Sequence, residues 1–165
     1  MSNILFHKRT ELILNGLLKE KRFANSYLFH GPLGAFKDYA AQSFANSIHE
    51  KKQELSLSNF QPKEPLNNTT DLFHFKNEKS IKVEDIRQLQ ETIKYGPHEK
   101  NKLIVIIYNC ETMTIAAANA FLKSLEEPPE NVIFILLTQC KSAVLPTISS
   151  RSQCIDFLYG LSVYI

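Results

Sequence analysis

The chain has 165 residues, is 44% hydrophobic, and carries 19 basic against 17 acidic residues for a net charge of +2. That size and composition suit one compact core, and the near balance of charge excludes a surface-wide electrostatic grip on a nucleic-acid backbone. The three cysteines, Cys110, Cys140 and Cys154, are odd in number and lack Cys-x-x-Cys spacing, which argues against a disulfide framework and against a structural metal site. No apolar run approaches the roughly 20 residues of a membrane-spanning helix, so a cytoplasmic location without membrane contact is expected.

Residues 12–18 read as a leading helix, with Leu14, Leu17 and Leu18 on one face and Gly16 tolerated at some cost. Ser26–His30 is predicted as the first strand, followed by a helix striped by Ala41, Phe44, Ala45 and Ile48. Residues 50–70 are polar and aperiodic and are predicted as a flexible loop. Beyond it come a strand at Leu72–Phe75, a helix carrying Val83, Ile86, Leu89 and Ile93, and a strand at 103–108. A helix carrying Met113, Ala117, Ala120 and Phe121 follows, then a strand at Val132–Thr138 and a weaker one at 153–157. Strands and helices alternate, and the two best strands are continuous apolar runs. The expected fold is therefore α/β, with a five-stranded, mainly parallel sheet flanked by helices.

Two loops carry the chemical signal. After the first strand comes Gly31-Pro-Leu-Gly34-Ala-Phe36-Lys37-Asp38, the place of a phosphate loop. A working loop needs G-x-x-x-x-G-K-[ST], because backbone N–H groups wrap the phosphates, the lysine reaches them and a hydroxyl holds magnesium. Lys37 survives, but Phe36 stands where the second glycine belongs and Asp38 puts a carboxylate where the hydroxyl should be. From the residues alone this is either a broken phosphate loop or a plain turn with a solvated lysine. At the end of the strand at 103–108, Asn109 and Cys110 occupy the positions of an acidic, magnesium-holding pair, and Glu111 comes one place late. Cys110 has no supporting histidine nearby in sequence and reads as a buried small residue rather than a nucleophile. His7, His30, His49, His74 and His98 are scattered, and none is assigned a site.

The segment Ala117-Ala-Asn119-Ala-Phe-Leu122-Lys123-Ser-Leu125-Glu126-Glu127-Pro128-Pro129 is an alanine-rich helix stopped by a proline pair. It closely resembles the "N-A-L-L-K-x-L-E-E-P-P" signature of the clamp-loader branch of the AAA+ family, with Phe121 replacing one leucine. Phe23-Ala-Asn-Ser-Tyr27-Leu-Phe-His-Gly31-Pro resembles that family's entry into its first strand. Ile81-Lys-Val83-Glu-Asp-Ile86-Arg87-Gln-Leu89 resembles its next helix, and Leu145-Pro-Thr147-Ile148-Ser-Ser150-Arg151-Ser152 resembles its "T-I-x-S-R-C" segment. The likeness covers most of the chain.

The resemblance implies an AAA+/P-loop NTPase-like base domain over residues 1–165, without the lid and helical oligomerisation domain that follow in relatives. It implies a sensor-like role for Thr138 and a role in trans for Arg151, on the ATP of a neighbouring subunit. Loss of both nucleotide elements points to the non-catalytic delta-prime type, with no cofactor of its own in the degenerate loop of Gly31, Gly34 and Lys37. The alternative is an ATP-hydrolysing gamma/tau-like subunit with a divergent phosphate loop. The implied partners are other clamp-loader subunits (gamma/tau and delta) and, through the complex, the sliding clamp and primed DNA. Residues 50–70 lack the four zinc-binding cysteines of many relatives, so no metal is carried over. A free-standing kinase-like or DNA-binding protein is disfavoured, because no base-reading motif or basic stripe is present.

Overall fold

The computed structural model describes residues 8–32, 36–57 and 70–157. Within them the elements run α1 (Lys8–Glu20), β1 (Ser26–His30), α2 (Lys37–His49), β2 (Leu72–Phe75), α3 (Val83–Ile93), β3 (Leu103–Ile107), α4 (Ile115–Glu126), β4 (Val132–Thr138), α5 (Pro146–Ser149) and β5 (Gln153–Asp156). Short 3-10 turns at Cys110–Thr112 and Lys141–Ala143 follow β3 and β4. The strands form one sheet in the order β2-β3-β4-β1-β5, and every neighbouring pair is parallel.

Strand geometry explains why β3 and β4 are apolar along their whole length. Successive side chains point to opposite faces, and both faces are covered. Ile133, Ile135 and Leu137 of β4 pack with α1 and α2, while Val132, Phe134 and Leu136 pack with α3 and α4. On the first face Phe44 of α2 meets the Tyr27 ring edge-on at 5.5 Å; on the second, Phe121 of α4 meets Phe134 at 5.1 Å. Each such aromatic pair stabilises by about 0.5–1.5 kcal/mol beyond its buried area.

The leading helix is longer than 12–18 at both ends, and the third strand stops at Ile107, with Tyr108 in the turn beyond. Met113 does not belong to the helix stripe it was predicted to share. Thr114 caps α4 by accepting the Ala117 N–H, and Met113 instead pairs with Ile81 in an isolated parallel bridge. Residues 50–57, assigned from sequence to a flexible loop, carry Leu55 and Leu57 into the core beside α1. Their backbone N–H groups donate to Asn15 Oδ1 at 2.8 Å and Glu11 Oε2 at 2.9 Å. Residues 58–69 and 158–165 lie outside the described residues. Among the described residues no helix is long and apolar enough to cross a membrane.

Candidate functional site

At the carboxyl ends of β1, β3 and β4 lies a cleft of about 330 Å³, the position where open α/β sheets bind ligands. Phe36, Lys37 and Asp38 wall it from the start of α2, Tyr108 and Asn109 from the end of β3, and Leu137, Thr138 and Gln139 from the end of β4. Parallel pairing of β4 with both β1 (His30 with Thr138) and β3 (Ile107 with Leu136) brings the two sequence-predicted loops to the same edge. Lys37 and Thr138 are thus brought together; Gly34 lies outside the described residues.

The backbone at Phe36 lies in the left-handed region that glycine tolerates best, with φ 55 and ψ 35. A bulky residue held there costs about 1–2 kcal/mol. Lys37 lines the cleft, but its ammonium is engaged by backbone carbonyls. Its Nζ donates to the Gly31 carbonyl at 2.7 Å and to the Pro32 carbonyl at 3.1 Å. Burial lowers the Lys37 pKa, and the charges of Asp38 and Glu111 partly oppose that shift. Gly31 has its own packing reason: a Cβ there would stand 2.0 Å from the Phe157 carbonyl oxygen. It is therefore explained by the close passage of the chain after β5, without a ligand.

At the end of β3, Asn109 adopts φ 51 and leads into the 3-10 turn, which turns Cys110 into the core. Burial pushes the Cys110 thiol far above its ordinary value, as expected of an inert packed cysteine. Glu111 is closer to the site than its late position suggests. Its charge reaches Lys37, and its Oε2 is buried with no hydrogen-bond partner among the described residues. Thr138 is 1% exposed, and its hydroxyl is engaged locally, donating to the Cys140 carbonyl at 3.1 Å and accepting the Cys140 N–H at 3.2 Å. Tyr108, given no role from sequence, is the cleft's aromatic wall. Its hydroxyl bonds His74 Nδ1 at 2.8 Å, and Lys76 sits 4.5 Å above its ring. Among the described residues no group of three or more His, Cys, Asp or Glu could hold a metal ion.

Arg151 is at the other end of the sheet, two residues before β5. The adjacent Ser152 hydroxyl meets that of Ser26, at the start of β1, at 2.8 Å. The five-residue β1 alone places about 13 Å between this edge and the cleft. The guanidinium does not project freely: two of its nitrogens are engaged. Nη1 donates to the Thr147 carbonyl at 3.0 Å, and Nη2 pairs with Glu126 Oε1 at 2.9 Å, with the two side chains 38% and 50% exposed. Sequence reading treated Glu126 only as part of a motif. The missed signal is a carboxylate at the C-terminal end of a helix, where the macrodipole disfavours it.

Comparison with known proteins agrees with this architecture. A family model described as "DNA polymerase III, delta subunit" matches residues 6–159. The DNA polymerase III subunit tau of Bacillus subtilis (strain 168) is 35% identical over 159 residues, which cover 90% of this chain and 27% of that protein. Subunit delta' of the same organism is 34% identical over 151 residues, covering 89% of this chain and 46% of that protein. The crystal structure of a DNA polymerase III gamma subunit-related protein from Thermotoga maritima superposes with a TM-score of 0.70 at 30% identity, over 89% of this chain and 45% of that one. The chain thus spans less than half the length of these relatives. With an AAA+-like strand order and a family match along nearly its whole length, the chain belongs to the DNA polymerase III delta-subunit family, as a delta-prime/clamp-loader member.

Proposed function

We propose that this chain acts as a non-catalytic clamp-loader subunit: a stator that helps load the sliding clamp onto primed DNA and presents Arg151 to the ATP of an adjacent gamma/tau-type subunit. The observation that carries this reading is the opposition of the two cationic sites. Lys37, in the chain's own cleft, is consumed by the Gly31 and Pro32 carbonyls, whereas Arg151 stands half exposed at the far edge of the sheet. The separation exceeds the reach of one extended arginine side chain, so Arg151 serves a site other than its own cleft. A guanidinium stays charged and offers a planar fork to phosphate oxygens, and such a group on a transferring phosphate contributes about 10³–10⁵ in rate.

The test is a complex reconstituted from the full-length protein and its partner subunits. Arg151→Ala should leave the fold intact and lower clamp-dependent ATP hydrolysis by the neighbour, with Arg151→Lys recovering little. Unchanged hydrolysis in the alanine variant would end the trans role. One set of observations favours the ATPase alternative: the strong tau match, the retained Lys37 and the glycine-like backbone at Phe36. Calorimetry of the chain with magnesium and ATP separates the two readings. Absence of binding is expected, and a micromolar dissociation constant would select the alternative.

A further inference from the structure

The ion pair at the Arg151 edge is poorly explained as a stabilising device. Glu126 is the last residue of α4 and Glu127 its cap, so two carboxylates crowd the negative end of a helix macrodipole, a placement that disfavours the helix. Pairs as exposed as Glu126 and Arg151 contribute little to stability. The contact does something else: it fixes the direction of the guanidinium from two sides. Thr147, in α5, holds Nη1 through its carbonyl, and Glu126, from α4, holds Nη2. A guanidinium has five N–H donors, so these two contacts leave three for another acceptor.

We infer that Glu126 is a positioning residue for the trans-acting Arg151, bracing its fork so that the remaining donors face a neighbouring subunit's phosphates. This rests on the role proposed for Arg151. Bracing a flexible side chain before contact removes the ordering cost that would otherwise fall in the transition state. With the carboxylate gone, the guanidinium would swing about its single remaining contact at Thr147.

The experiment is steady-state ATP hydrolysis by the reconstituted complex, with Glu126→Gln, Arg151→Ala and the double variant in the full-length chain. Glu126→Gln should lower kcat roughly fivefold, the rate equivalent of about 1 kcal/mol, with the KM for ATP unchanged. Glu126→Asp, which keeps the charge but shortens the arm, should recover part of the loss. Because Glu126 acts only through Arg151, the double variant should hydrolyse ATP no more slowly than Arg151→Ala alone. Additive losses, or a Glu126→Gln variant as fast as the parent while Arg151→Ala is slow, would overturn the inference and leave the role of Arg151 standing. An inert Arg151→Ala would remove both.

Discussion

The two ends of this sheet treat a cation in opposite ways. At the carboxyl ends Lys37 folds back onto carbonyls five and six residues earlier in its own loop, so the charge is satisfied locally at the wall of the cleft. At the amino ends Arg151 is held by Glu126 from a different element and keeps 38% of its side chain in solvent. Lys37 thus satisfies its charge within its own loop. Arg151 is fixed by one local contact, to the Thr147 carbonyl, and one long-range contact, to Glu126, and stays partly open to solvent. Position in the fold, more than residue type, separates the two.

The comparison presupposes that a common core carries both ends, and the largest expected effect tests that. Phe121→Ala, deleting a ring 1% exposed and packed edge-on against Phe134, should cost about 3–5 kcal/mol in denaturant unfolding. A loss below about 1 kcal/mol would mean that α4, and Glu126 with it, is anchored some other way.

Next in size is the fixation of the amino-end loops. Asp71, 1% exposed, accepts the backbone N–H groups of His98, Glu99 and Lys100. Burial pushes its carboxyl up, but those three donors and nearby His49 outweigh it and hold the pKa below the ordinary value. A carboxylate depressed in the fold contributes fully above its unfolded pKa of about 3.9, and the contribution is lost as pH falls through the lower folded value. Asp71→Asn should therefore cost about 2–3 kcal/mol at neutral pH, and its stability should fall less steeply than the parent's below about pH 4. Parallel acid profiles would show that the loop is held without the charge.

Two smaller effects address the cations directly. Lys37→Ala releases two charge-assisted bonds to backbone carbonyls and should cost about 1–2 kcal/mol. Arg151→Ala, breaking an exposed pair, should cost less than about 1 kcal/mol. Thermal unfolding of the two variants side by side ranks them. If Arg151→Ala proved the more destabilising, its edge would be structural and the contrast between the two ends would collapse.

Much of the fold was legible because its periodicities are local. Continuous apolar runs such as Leu-Ile-Val-Ile-Ile at Leu103–Ile107 suit only strands covered on both faces, and the stripe of Ile86, Leu89 and Ile93 suits only a helix with one buried side. The departure from the phosphate-loop pattern was legible for the same reason, since Phe36 and Asp38 are read against neighbours adjacent in sequence. Leu55 and Leu57 escaped notice because two leucines in a polar stretch show no period. Only the docking of their backbone onto Asn15 and Glu11 of α1 makes them core.

The sequence by itself determined the alternation of elements and the residues that stand in the two loops after β1 and β3, because each depends on spacing within a few residues. Tertiary structure decided the rest. Lys37 turning onto Gly31 and Pro32, the charge of Glu111 reaching Lys37 and Glu126 meeting Arg151 depend on side-chain direction and on elements meeting in space. A helix-ending carboxylate and a post-helical arginine carry no sequence signal of their contact. Whether they pair is settled only when α4 and α5 pack on the same face of the sheet.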